Sequence, residues 1–110
     1  MASPSKAKGN RFERLLVNLI ETFEIKAKRA WGSNGMSLGL PEEVDVLMDD
    51  EVRIQCKCRK KMPKFLGITE NVDIVAIKED RGETYFIIRA EDYLSDLKRF
   101  RDKKTSEDCV

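Results

Sequence analysis

Apolar positions near the start of the chain recur with a helical period. Phe12, Leu15, Leu16, Leu19, Ile20 and Phe23 fall at i, i+3, i+4, i+7, i+8 and i+11. That is one helix face, and it predicts a helix from about Gly9 to Phe23. The period then drops to two. From Ile25 to Trp31, Ile25, Ala27 and Arg29 alternate with Lys26, Lys28 and Ala30, the pattern of a strand. Between Gly32 and Pro41 stand three glycines, two serines and an asparagine, which predict a loop. Beyond it Val44, Val46 and Met48 point one way, and Glu43, Asp45 and Leu47 the other. Asp49-Asp50-Glu51 turns the chain. Val52, Ile54, Cys56 and Cys58 then form one face of a further strand, opposite Arg53, Gln55, Lys57 and Arg59.

Downstream, Pro63 predicts a turn of helix, because proline suits the first helical position. Val72 to Lys78 is an apolar run around Asp73, as expected of a strand covered on both faces. Arg81-Gly82 turns the chain into a strand over Thr84 to Arg89. Tyr93, Leu94, Leu97 and Phe100 share one face of a closing helix from Ala90 to Phe100. The order is helix, three strands, short helix, two strands, helix. It predicts an α/β fold: a single domain over 9–100 with one mixed five-stranded sheet flanked by helices. Residues 1–8 read as a flexible leader and 101–110 as a charged tail. A length of 110 residues suits one compact domain.

Composition changes this picture only by exclusion. No apolar stretch approaches the roughly 18 residues of a membrane span, and the first residues do not form a signal peptide. Cys56 and Cys58 are neighbours on one strand face, unsuited to a disulfide, which points to reduced thiols in the cytoplasm. Without histidine, a zinc site would need three thiols and a carboxylate. The chain has no glycine-rich phosphate loop and no serine–histidine pair, which excludes P-loop enzymes, kinases and triad hydrolases.

The net charge of +1 is uninformative, whereas its distribution is not. Glu42, Glu43, Asp45, Asp49, Asp50 and Glu51 are followed by Arg53, Lys57, Arg59, Lys60, Lys61 and Lys64 with no acid between them. Such an arrangement suits a site that holds a cation beside a phosphate backbone. It also suits an acidic turn followed by an edge strand guarded by lysines. If the two strands pair through the acidic turn, the faces bearing Glu43 and Asp45 and bearing Gln55 and Lys57 align. A carboxylate, an amide oxygen, a backbone carbonyl and an ammonium then converge. Hard divalent cations take oxygen ligands, and an ammonium can orient water and steady charge on a phosphate.

Pro41-Glu42-Glu43-Val44-Asp45, a turn, and Gln55-Cys56-Lys57 together resemble the PD-(D/E)xK nuclease signature. Lys8-Gly9-Asn10-Arg11-Phe12-Glu13 resembles the first helix of archaeal and phage Holliday-junction resolvases, and Gly32-Ser33-Asn34-Gly35 their glycine/serine-rich stretch. The resemblance covers roughly Lys8 to Phe100. It implies a restriction-endonuclease-like core of αβββαβ order, with an extra strand and a C-terminal helix. It implies a catalytic glutamate at Glu13, so that Glu13 and Asp45, completed by Gln55 and the Cys56 carbonyl, hold Mg2+ or Mn2+ while Lys57 orients the nucleophile. On helical spacing Glu13 lies on the flank of the apolar face, where a carboxylate is partly desolvated; the other reading is a solvated glutamate paired with an arginine. The implied substrate is DNA, a four-way junction, cut by a homodimer in the cytoplasm of a prokaryotic or phage-infected cell. Restriction-type and flap or fork nucleases share the same core, and a non-catalytic DNA-binding module uses the same basic surface. The family usually has an acid where Gln55 stands, although Q-x-K occurs among its restriction-enzyme relatives. Lys8, Arg11, Arg59, Lys60 and Lys61 are the expected phosphate contacts. Trp31 is expected either to stack on a base or to lie in a core or interface.

Overall fold

The computed structural model describes residues 4–30 and 35–108. Trp31 and the Gly32-Ser33-Asn34 segment, both singled out above, lie outside the described residues. The chain is a small α/β protein whose described residues hold two α-helices and five strands. It divides into two compact units, Met1–Cys58 and Arg59–Val110, where the sequence pattern predicts one domain over 9–100.

The first unit contains α1 (Pro4–Thr22), β1 (Ala27–Arg29), β2 (Val46–Met48) and β3 (Val52–Ile54). The helix begins at Pro4, so the expected leader is helical over its second half. Proline is compatible with a first helical turn, whose amides lack intrahelical partners in any case. Strand β2 is central, antiparallel to β1 with Arg29 facing Val46 and antiparallel to β3 with Val46 facing Ile54. Met48 and Val52 close the hairpin, with the Glu51 N–H donating to the Met48 carbonyl at 3.2 Å. Asp49 and Asp50 both have φ near +60°, the paired left-handed conformation of a type I′ turn. Aspartate tolerates that region better than most residues. Helix α1 packs on β1 and β2, burying Ile20, Ile25, Ala30, Val44, Val46 and Met48.

The face that α1 turns inward carries Phe12, Leu16, Leu19, Ile20 and Phe23 as expected, all buried or half-buried, and departs from the expectation at two positions. Leu15 is 60% exposed, whereas Glu13 is 3% exposed. Glu13 joins that face in line with Leu16, Val17 and Ile20, at i, i+3, i+4 and i+7. A carboxylate therefore occupies a core position of the helix rather than its flank.

The second unit contains a short 3-10 helix (Lys64–Leu66) preceded by Pro63, then β4 (Ile74–Lys78), β5 (Thr84–Ile88) and α2 (Ala90–Asp108). Strands β4 and β5 form an antiparallel pair of their own. The five strands thus make two sheets, of three and two strands, rather than the single mixed five-stranded sheet expected from the sequence, among the described residues. Every ladder is antiparallel among the described residues. Parallel pairing needs a crossover of a dozen or more residues, usually a helix. Here the stretch between β3 and β4 holds only a three-residue 3-10 helix. Nor is β4 covered on both faces: Val75 and Ile77 are half-buried, while Ile74, Ala76 and Lys78 are exposed. Leu94 on α2 is buried. Helix α2 continues to Asp108, well past Phe100, through residues rich in lysine and arginine that carry good helix propensity.

Candidate active site

Of the expected site residues of the first unit, Asp45 meets the Cys56 backbone beyond the β2–β3 ladder, and Glu13 is buried on α1. Asp45 immediately precedes β2 and is held from both sides. Its carbonyl accepts the Ala30 N–H at 2.8 Å, and its own N–H donates to the Ile54 carbonyl at 2.9 Å. Ile54 already faces Val46 in register, so Asp45 and Val46 both oppose it. The ladder is one residue out of step there, a β-bulge, a device that re-aims a side chain at the end of a pairing. The re-aimed carboxylate takes over the ladder: Asp45 Oδ2 accepts the Cys56 N–H at 2.7 Å. A charged acceptor at that distance makes a strong bond and fixes the carboxylate on the backbone of β3's continuation.

The segment before Asp45 is fixed by close backbone packing. Gly35 is buried, donates its N–H to the Glu42 carbonyl at 3.3 Å and accepts the Leu40 N–H at 3.0 Å. A Cβ at Gly35 would stand 2.0 Å from the Pro41 carbonyl oxygen and 2.9 Å from the Val44 Cβ. Only glycine allows that approach. The loop therefore presses on residues 41–44 and sets where Asp45 begins.

Cys56 reports on the electrostatics of this point. Burial pushes its thiol up to about 11, with the Asp45 and Glu13 carboxylates adding to the rise and Arg29 opposing it. The Cys56 thiol thus lies within electrostatic reach of Glu13, Arg29 and Asp45. Glu13 comes from the core stripe of α1, Asp45 from the bulge, and Arg29 from the end of β1. Among the described residues, the Nε of Arg29 is buried without a hydrogen-bond partner. Arg29 is absent from the residues singled out in the sequence. Its signal there was the half-buried register of β1, in which an arginine shares a face with Ile25 and Ala27.

Gln55 and Lys57 flank Cys56 and so stand on either side of the residue whose N–H meets Asp45; both side chains are exposed. Glu43, a possible third carboxylate from its strand position, is exposed. Among the described residues, no group of three or more histidine, cysteine, aspartate or glutamate side chains is gathered closely enough to hold a metal ion by itself. The oxygen donors expected of the site are the buried Glu13 carboxylate, the half-buried Asp45 carboxylate, the exposed Gln55 side chain and the Cys56 carbonyl. Magnesium takes one or two carboxylates when phosphate and water supply the remaining oxygens, so this set fits it. Cys56 and Cys58 are free thiols. Of the expected phosphate contacts, Lys8 is half-buried and Arg11 exposed on α1, while Arg59, Lys60 and Lys61 are exposed at the start of the second unit. No described helix is long and apolar enough to cross a membrane. No family model, curated protein or solved structure matches this chain.

Proposed function

We propose that the chain is a metal-dependent phosphodiesterase acting on DNA, with a site of the PD-(D/E)xK kind. The observation that carries this reading is the carboxylate of Glu13, 3% exposed in a core position of α1 and close enough to Cys56 to raise its thiol pKa together with Asp45. A buried carboxylate is costly in an ordinary core and useful beside a cation. Glu13, Asp45, the Gln55 side-chain oxygen and the Cys56 carbonyl would hold Mg2+ or Mn2+, which supplies Lewis-acid charge beside the scissile phosphate. The Asp45 bond to the Cys56 N–H holds one carboxylate oxygen and leaves the other available. Lys57 orients the attacking water and steadies charge developing on the phosphate. Arg29 adds a permanent cation at the same end.

Within that class, the particular activity proposed is resolution of four-way DNA junctions, with restriction-type and flap or fork cleavage as the related alternatives. The glycine-led first helix carrying Glu13 is what favours junctions. Symmetric cutting of a junction requires two sites, hence a homodimer. The neutral Gln55, standing where an acid is usual, favours a second reading, a DNA-binding module whose site no longer cuts. One assay separates the two: a labelled four-way junction incubated with Mg2+ or Mn2+ and either the wild-type protein or Asp45→Asn. Metal-dependent nicking by the wild type alone supports the enzyme. Binding without metal-dependent nicking leaves the module.

A further inference from the structure

The second unit carries a cleft that the nuclease site does not use. It is an open cavity of about 620 Å³ walled by Phe65, Ile77 and Tyr85, with Lys78, Glu79 and Glu83 around it. Both aromatic rings are presented to solvent, Phe65 at 68% and Tyr85 at 60% exposure. Gly82 also lines the cleft, and its backbone lies so close to Glu79 that a Cβ there would meet the Glu79 carbonyl oxygen at 3.3 Å. Exposed aromatic rings are costly in water, and as cleft walls they form a surface of the size and flatness of a nucleobase.

The charges around the cleft define what would enter. The exposed run Arg59, Lys60, Lys61 and Lys64 leads directly into Phe65, and no acid occurs between Glu51 and Glu70. Cations spaced along the chain in this way suit successive phosphates of one strand. Around the cleft itself two carboxylates, Glu79 and Glu83, outnumber the single cation Lys78. Tyr85 Oη donates to Glu83 Oε2 at 3.1 Å, which fixes that carboxylate and leaves its other oxygen as an acceptor. Carboxylates accept from exocyclic amino groups, as glutamate does from cytosine N4, whereas thymine has no amino group and offers only its ring N3–H, flanked by two carbonyl oxygens that repel a carboxylate.

We propose that this cleft binds an unpaired, amino-bearing DNA base, stacked on Phe65 and Tyr85 and read by Glu83 and Glu79, while the basic run holds the adjoining phosphates. The inference rests on the reading of the chain as a DNA-acting protein and narrows it: among the activities named there it favours flap or fork substrates, which carry unpaired nucleotides, over fully paired junctions. The cleft, unlike the metal site, distinguishes bases.

The test is fluorescence anisotropy of dye-labelled dC12 and dT12 with the full chain in EDTA, in an Asp45→Asn background in which cutting is abolished. Binding of dC12 about tenfold tighter than dT12 is expected, the worth of one charge-assisted hydrogen bond. Glu79→Gln with Glu83→Gln should erase the preference and tighten dT12. Phe65→Ala with Tyr85→Ala should weaken both oligonucleotides at least tenfold. Tyr85→Phe, which retains the stacking surface, should retain affinity. Far-ultraviolet circular dichroism checks that each variant is folded. Equal binding of dC12 and dT12 by the wild type, or a preference unaltered in the glutamine pair, overturns the proposal. Because the assay contains no metal, it stands or falls separately from junction cleavage: a base preference without Asp45-dependent nicking sinks the nuclease and leaves the cleft, and the reverse result does the opposite.

Discussion

Replacing Asp45 with alanine removes the acceptor of the 2.7 Å bond from the Cys56 N–H. That amide is half-buried and belongs to the segment continuing β3, so it loses a charged acceptor without a ready substitute. Hydrogen bonds to charged groups contribute about 1.5–3 kcal/mol, and a stranded amide costs a similar amount. Asp45→Ala should therefore destabilise the protein by about 2 kcal/mol. Asp45→Asn keeps a neutral oxygen acceptor, worth about 1 kcal/mol, so its loss should be roughly half as large. Urea melts of the two variants measure the difference. The two changes agree, however, in what they do to charge. Burial is the main reason the Cys56 thiol stands near 11, and either change removes the carboxylate that adds to it, so the thiol titration should move down by a similar amount in both. The readout is the pH dependence of iodoacetamide alkylation in a Cys58→Ser, Cys109→Ser background. A thiol of pKa 11 is only about one per cent thiolate at pH 9, so even a modest fall accelerates labelling several-fold. Both variants should also lose metal-dependent cutting. Two results would refute the reasoning: equal stability of the alanine and asparagine variants, or a Cys56 midpoint indifferent to Asp45.

Gly35→Ala places a methyl 2.0 Å from the Pro41 carbonyl oxygen and should cost about 3 kcal/mol or more, read as a lower urea midpoint, with any surviving protein showing reduced nicking. In the second unit, Arg89 donates to the Thr69 carbonyl at 2.7 Å and the Val72 carbonyl at 3.2 Å. Arg89→Ala should cost about 1–2 kcal/mol, and Arg89→Lys should not restore it, because a single ammonium cannot reproduce the fork; calorimetry on both variants decides. Arg81 has φ +63°, so Arg81→Gly should raise stability by up to about 1 kcal/mol, seen as a higher melting temperature. Finally, the folded Cys56 thiol near 11 lies above the unfolded value of about 8.5. Its contribution is complete below pH 8.5 and is lost as pH rises through 11. After allowance for solvent around a half-buried group this amounts to roughly 1 kcal/mol, and it should disappear in Cys56→Ser.

What the sequence disclosed depended on whether a feature was set by local or distant partners. The β2–β3 hairpin was legible because period-two alternation and an acidic turn are both local, and Val44, Val46 and Met48 are buried as that pattern requires. The sheet count was not legible, since apolar runs such as Val72 to Lys78 state that a strand exists and not which strand it pairs with. The helix shows the limit most clearly. Apolar residues alone place its inward face through Leu15, yet burial is decided by what the sheet offers opposite each position, and there Glu13 is inside and Leu15 outside. A hydrophobicity pattern scores a glutamate as an error in a core stripe. Physically it is an error only if no cation meets it. Arg29 was missed for the matching reason: a cation in the half-buried register of β1 reads, from its own strand alone, as an edge residue. Local rules fail here on two residues of opposite charge, at one place in the first unit. Natural chains usually break such rules where a site demands it, so the failure of the pattern at Glu13 and Arg29 is itself an argument for chemistry at that place.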